Sequence, residues 1–203
     1  KPPSQASAIR RESMVRDAFD AEWPNLSARG RRQPGLIQAM LQLIDDLRNG
    51  LVDPESFESH VAGIGSSFLE NTASVYRAYV ERLATSGLSD SPSTGLTALK
   101  TPLDGWSGRP VFVVGFDDLT GIQHELLNRL GSVTDVTIAI THEDANPSMA
   151  VTDRLLARLV ADGGIVDPEK NWRARDEEPV HDQLLLDIEK NFMRLPEGEV
   201  LQP

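Results

Sequence analysis

The chain has 203 residues, no cysteine, and 20 Lys and Arg against 31 Asp and Glu, which gives a formal net charge of −11. The absence of cysteine excludes a disulfide framework, a thiolate metal site and a cysteine nucleophile. The negative charge argues against a surface that binds nucleic acid by charge alone, because neutralising phosphates requires clustered Lys and Arg. The length suits one ordinary domain or two small ones.

The first hundred residues carry apolar side chains at helical spacing. One stripe consists of Leu36, Met40, Ile44 and Leu47. It ends at Gly50, and Asp53-Pro54 then supplies the N-cap and the first position of another helix. A broader stripe over residues 68–83 includes Tyr76 and Tyr79, which we expect to pack in the core rather than to stack on bases. The pattern predicts a mainly helical subdomain.

The periodicity changes after segment 89–108, which is rich in Ser, Pro, Thr and Gly. Val111–Val114 and Val136–Ile140 are continuous apolar runs, which are typical of strands buried on both faces of a parallel sheet. Between them, Thr120 and Gln123 have the capping-box spacing that begins a crossover helix. The sequence therefore predicts a strand–helix–strand unit.

Three further elements are predicted towards the end of the chain. They are a helix from Ser148 to Ala161, a third short strand at Ile165-Val166, and a last amphipathic helix that carries Leu184, Leu185, Ile188 and Phe192. The predicted fold class is α/β. A helical subdomain over residues 1–100 precedes a small parallel sheet with flanking helices over residues 101–203.

Positive charge is concentrated in the first 32 residues. Arginines in such clusters can contact nucleic-acid phosphates. The alternative is that these side chains form only a solvated face or the edge of a domain, and we favour this second interpretation. The candidate phosphate contacts are Arg10, Arg11, Arg29, Arg31 and Arg32.

Acidic segments follow both predicted strands, at Gly115–Asp118 and Thr141–Asp144. In an open α/β sheet, ligands bind beyond the carboxyl ends of the strands. One interpretation is that these carboxylates hold Mg²⁺ beside a phosphate. The other, which we favour, is that Asp117 and Asp118 stabilise the start of the next helix and that the later cluster is a polar loop.

The sequence contains neither a glycine-rich phosphate loop nor a motif that pairs a nucleophile with a base. We therefore predict no catalytic residue, no metal and no cofactor in this chain. A small nucleotide-dependent enzyme is accordingly the weakest functional hypothesis. No apolar stretch has the length of a membrane-spanning helix, so we expect a soluble cytoplasmic protein without a membrane partner.

Residues 113–123 read Val-Val-Gly-Phe-Asp-Asp-Leu-Thr-Gly-Ile-Gln. They resemble the Walker B region of UvrD-like superfamily 1 helicases. The resemblance is closer to the inactivated version in the B subunit of AddAB helicase–nucleases, within the PD-(D/E)XK nuclease family. The matching residues are Gly115, Phe116, Asp118 and Gln123. The order and spacing of the helix at 79–83 before Gly87-Leu88, the strand before Thr141 and segment 184–192 also agree, so the resemblance covers about residues 68–195.

Carried over residue by residue, the metal-binding aspartate of Walker B falls on Val114 and the catalytic glutamate on Gly115. The resemblance therefore implies that this segment does not hydrolyse ATP. It implies an internal piece of an ATP-dependent helicase–nuclease subunit, with part of a P-loop helicase-like domain, that processes double-strand DNA ends for recombinational repair. The piece would act as a non-catalytic scaffold or line a DNA path, with DNA and a second helicase–nuclease subunit as partners.

The alternative function is a protein-interaction module of unrelated ancestry. Such a module would use the same strand–helix–strand unit without any link to DNA repair.

Overall fold

A computed structural model describes residues 3–106, 108–142 and 146–166. Within these ranges the chain is a mixed α/β protein. In chain order the elements are β1 (Ser4–Gln5), α1 (Ala8–Glu22), α2 (Ala28–Arg31), α3 (Pro34–Asn49), α4 (Pro54–Ala62), α5 (Ser67–Thr85), β2 (Leu88–Ser89), α6 (Ser91–Lys100), β3 (Val111–Val114), α7 (Gly121–Gly131), β4 (Val136–Ala139) and α8 (Ala150–Ala161), with a 3₁₀ turn at Pro147–Met149.

The described residues form two compact units. The first comprises residues 3–106 and 120–133, and the second comprises residues 108–119, 134–142 and 146–166. Helix α7 thus lies in the first unit, whereas the strands on either side of it lie in the second. None of the described helices is both long and apolar enough to cross a membrane.

The core of the first unit is built by α1, α3 and α5. Fully buried side chains from all three helices meet there, including Phe19, Ile44 and Tyr76. The apolar spacing in the sequence predicted α3 and α5 but no helix at α1. Helix α1 begins where the Ser7 side chain accepts a hydrogen bond from the Arg10 backbone N–H, a standard N-cap. Tyr76 and Tyr79 are buried in this core, as predicted.

Helix α3 ends at Gly50, as predicted, but the left-handed residue of its C-terminal cap is not the glycine. Gly50 does terminate the helix, but its φ of −80° is ordinary for any residue. The left-handed residue is Leu51, with a φ of 62°. The Leu51 N–H binds the Arg48 carbonyl at 3.1 Å and the Val52 N–H binds the Leu47 carbonyl at 2.9 Å. This is the Schellman arrangement, with leucine where glycine is usual.

The predicted strand–helix–strand order is confirmed, because β3 and β4 pair in parallel with Val111 opposite Val136 and Val114 opposite Ala139. The expectation that both faces of these strands are buried is wrong for Phe112 and Val114, whose side chains are exposed. The predicted third strand is also wrong, since Ile165-Val166 has no strand structure. The predicted helix at residues 184–192 lies outside the described residues.

Candidate site at the carboxyl ends of the parallel strands

The loop after β3 begins at Gly115, which has a φ of +82°. Only glycine adopts such left-handed conformations without steric cost, because a Cβ would crowd the neighbouring backbone. Val114, the last residue of β3, is exposed. These are the two positions on which the resemblance places the Walker B aspartate and glutamate. The backbone at Gly115 is thus in a conformation that disfavours glutamate as well as lacking its side chain.

The other residues of the predicted Walker B-like segment lie in two different places. Phe116, Asp117 and Asp118 follow Gly115 on the exposed loop, where one Asp118 carboxylate oxygen accepts the Leu119 backbone N–H at 2.8 Å. Gln123 has a structural role in α7. Its side-chain oxygen accepts the Thr120 N–H at 2.9 Å, while the Thr120 hydroxyl accepts the Gln123 N–H at 3.3 Å. This is the predicted capping box.

The described part of the loop after β4 contributes one histidine. His142 Nε2 lies 2.6 Å from the Asp153 carboxylate at the start of α8. Glu143 and Asp144 of the predicted acidic cluster lie outside the described residues. Among the residues that are described, no group of three or more His, Asp and Glu side chains is arranged to hold a metal ion.

Two of the five candidate phosphate contacts are engaged within the fold. The Arg11 guanidinium donates to the Tyr79 hydroxyl at 2.8 Å and to the Asp45 carboxylate at 2.6 Å. The Arg31 guanidinium donates to the Leu26 and Pro24 carbonyls at 2.8 and 2.7 Å. These contacts hold helices and a turn together, so the Arg11 and Arg31 guanidinium groups have partners within the fold.

The remaining candidates, Arg10, Arg29 and Arg32, are exposed. None of the three forms an ion pair with another described residue. Arg10 lines an open cleft that also contains the Asp17 and Glu81 carboxylates, and these would repel a phosphate. Among the five candidates, Arg29 and Arg32, at α2, are therefore the arginines best suited to contact an anion.

A buried polar network that the sequence did not predict links α3, α5 and α6. Arg48 on α3 and Asp90, the N-cap of α6, form an ion pair with side chains only 7% and 0% exposed. Arg48 also donates to the Ser93 hydroxyl at 2.9 Å, and the Tyr79 hydroxyl donates to Asp90 at 3.1 Å. The only sequence signal was Asp90 before Ser-Pro at a helix start, which does not reveal an arginine 42 residues earlier as its partner.

The surroundings of this network shift the pKa values of its members. Burial alone raises the pKa of the Asp90 carboxyl, but the Ser93 hydrogen bonds and the Arg48 charge outweigh burial and hold it below its usual value. Burial raises the pKa of Tyr79 to about 12, although the hydrogen bond from Arg11 opposes the shift. The network is closed to solvent, so its chemistry is structural: it fixes α3, α5 and α6 relative to one another.

Neither a family model nor a curated protein matches this chain. The class that the fold and the site define is a mixed α/β protein. Its described part combines a helical unit, which contains the short parallel pair β1–β2 and a buried ion pair, with the two-stranded parallel sheet β3–β4.

Proposed function

We propose that this chain is a non-catalytic scaffold or DNA-path segment of a helicase–nuclease subunit that acts in the repair of double-strand breaks. The observation that carries the proposal is the conformation of Gly115 at the carboxyl end of the parallel strand β3. This is the position at which a nucleotide hydrolase of the resembled family needs a glutamate to orient the attacking water. A left-handed glycine at this position supports the proposal that the segment has the strand–helix–strand topology of the family but does not hydrolyse ATP.

The DNA-path part of the proposal depends on α2. Arg29 and Arg32 are exposed there, while Arg31 between them anchors the helix to the Pro24 and Leu26 carbonyls. Guanidinium groups on an anchored element can contact phosphates at a small entropic cost. Because the whole chain is acidic, such binding would be weak and would depend strongly on salt.

The test is to measure ATP hydrolysis by the full chain, without DNA and with single-stranded or duplex DNA. The proposal predicts no hydrolysis above the protein-free background under any of the three conditions. Hydrolysis that DNA stimulates and that copurifies with the chain through two orthogonal columns would contradict the non-catalytic assignment. Binding of labelled DNA at low and moderate salt, measured on the same preparation, tests the DNA-path part separately.

A second candidate function is a protein-interaction module, which one specific observation favours. Phe112, Val114 and Phe116 are all exposed along β3 and its following loop. Large exposed apolar patches on soluble proteins mark interaction sites. If the chain binds neither form of DNA even at low salt, this second function is favoured over a DNA path, and a scaffold role remains.

A further inference from the structure

Helices α1 and α5 run antiparallel in the first unit and have a polar cleft between them, which we call the α1–α5 cleft. Trp23, just after α1, contacts Phe68 at the start of α5, whereas Arg11 near the start of α1 reaches Tyr79 further along α5. The volume of the cleft is about 440 Å³, which is within the range of small-molecule sites. Its polar lining includes Arg10, Ser13 and Asp17 from α1 and Glu81, Arg82 and Thr85 from α5.

Four charged groups line the α1–α5 cleft without pairing. Two are guanidinium groups and two are carboxylates, so their charges cancel. None of the four forms an ion pair with another described residue. A ligand with a single charge is attracted by one half of this lining and repelled by the other half. The lining therefore favours a ligand that carries charges of both signs.

The Arg82 guanidinium fastens the two helices together beside the cleft. It donates to the Ala78 carbonyl of its own helix at 3.1 Å and to the Asp17 carbonyl of α1 at 3.2 Å. These backbone contacts hold α1 and α5 at a fixed separation. The cleft is thus formed before a ligand arrives, which lowers the entropy cost of binding.

We propose that the α1–α5 cleft binds a short zwitterionic peptide of two or three residues. Arg10 receives the terminal carboxylate, while Asp17 and Glu81 receive the terminal ammonium group. Arg10 and Asp17 are about two turns apart on α1, which is roughly 10 Å along the helix axis. An extended tripeptide also spans about 10 Å. This site does not depend on the proposed helicase–nuclease function.

Triglycine is a suitable probe, because at neutral pH it carries one charge of each sign and no charged side chain. N-acetyltriglycine lacks the ammonium group, and triglycine amide lacks the carboxylate. Binding of each peptide to the full chain is measured by amide NMR titration. We expect triglycine to bind about tenfold more tightly than either blocked form, since a hydrogen bond between charged groups contributes about this factor. No binding of triglycine, or equal binding of all three peptides, would overturn the proposal.

Variants of the lining assign each charge to its partner. Arg10→Gln should weaken triglycine binding about tenfold and leave triglycine amide binding no weaker, because the amide has no carboxylate for Arg10 to bind. Asp17→Asn with Glu81→Gln should likewise weaken triglycine binding about tenfold and leave N-acetyltriglycine binding no weaker. If Arg10→Gln weakens the amide as much as triglycine, Arg10 does not bind the carboxylate and the proposal fails.

A matched control lies on the same helix. Arg16 is exposed on α1, outside the cleft, and is paired with Glu12. Arg16→Gln removes one positive charge, as Arg10→Gln does, but it should leave triglycine binding unchanged. Equal weakening by the two variants would show that the peptide responds to the net charge of the chain, and this would contradict the proposal. Every replaced side chain is exposed, and the amide NMR spectrum of each variant without peptide checks that the fold is retained.

Discussion

Gly95 of α6 and Ile122 of α7 are in direct contact: a Cβ at Gly95 would lie 2.6 Å from Ile122 Cγ2. Real Cβ atoms do not approach other heavy atoms this closely, so the two helices pack at this distance only because position 95 is glycine. The Ile122 side chain is β-branched and stiff, and it is buried. This contact explains why α7 belongs to the first, helical unit, although α7 connects β3 and β4 of the second unit.

We therefore expect Gly95→Ala to destabilise the protein. Glycine within a helix normally costs about 0.5–1 kcal/mol relative to alanine, but overpacking against Ile122 should cost about 1–3 kcal/mol. The matched control is Gly35→Ala in α3, where an added Cβ meets nothing within 4 Å. Urea unfolding should show a lower free energy of unfolding for Gly95→Ala and an unchanged or higher one for Gly35→Ala. Stabilisation by Gly95→Ala would refute the contact.

Arg129 of α7 holds the C-terminal end of α6. Its guanidinium donates to the Ala98 carbonyl at 3.1 Å, to the Leu99 carbonyl, and to the Thr101 carbonyl at 2.8 Å. The last carbonyls of a helix have no partner within the helix, and a cation there also interacts favourably with the negative end of the helix dipole. Arg129→Met should lower the free energy of unfolding by about 1–3 kcal/mol. Arg158→Met, an exposed arginine on α8, should have little effect in the same urea titration.

The Arg48–Asp90 ion pair should be costly to break from one side. Asp90→Asn leaves a buried guanidinium without its counter-charge, and stability is expected to fall by about 3–5 kcal/mol. Asp45→Asn, at a half-exposed ion pair, should cost about 1 kcal/mol or less. Thermal unfolding compares the two variants under identical conditions. An equal loss of stability in both variants would show that burial does not determine how much the Arg48–Asp90 pair contributes to stability.

The same carboxylate should make stability fall in acid. Because the pKa of Asp90 is lower in the folded protein than in the unfolded chain, folding favours its ionised form. The resulting stability is complete well above the unfolded pKa of about 3.9, and it disappears as the pH falls through that value towards the folded pKa. The acid-induced decline in the unfolding free energy should be shallower in Asp90→Asn than in the parent. Parallel declines would contradict the lowered pKa.

Alkaline titration should report the two tyrosines, which are the only ones in the chain. Burial raises the pKa of Tyr76 to about 12, against the charge of Arg48, and burial likewise raises the pKa of Tyr79 to about 12. Folding therefore favours their neutral forms, and that stability declines as the pH rises from about 10 towards 12. Absorbance at the tyrosinate band should stay low in the folded protein at pH 10.5 and appear together with loss of helical circular dichroism. Tyrosinate formed in a protein that keeps its helices would contradict this.

Local patterns predicted the elements better than they predicted their partners. The apolar spacing of α3 and α5 and the capping box of Thr120 and Gln123 are confirmed, since each depends on residues a few positions apart. Helix α1 was not predicted because its arginines dominate the local composition, while Val15 and Phe19 behind them form part of the core. Exposure on one face of β3 was not predicted either, because a run of apolar residues does not indicate which elements pack on each face of the strand.

The candidate site was likewise predictable only in part from the sequence. The glycine at position 115 could be identified in the sequence, but its left-handed backbone could not. The roles of the arginines could not be predicted either. Arg11 binds Tyr79 and Asp45, and Arg31 binds two backbone carbonyls, and these groups come close only in the tertiary fold. Charge clusters in a sequence do not distinguish side chains that hold helices together from those that face solvent.

The most direct test of the proposed DNA-path scaffold is the salt dependence of single-stranded DNA binding by matched arginine variants. Arg29→Ala with Arg32→Ala removes two exposed charges at α2, and Arg154→Ala with Arg158→Ala removes two at α8. We predict that the α2 variant binds labelled DNA more weakly. The slope of log affinity against log salt should become less negative by about 0.7 for each phosphate that the variant no longer neutralises. The α8 variant should match the parent. Equal effects of both variants, or no DNA binding by the parent at low salt, would contradict the account.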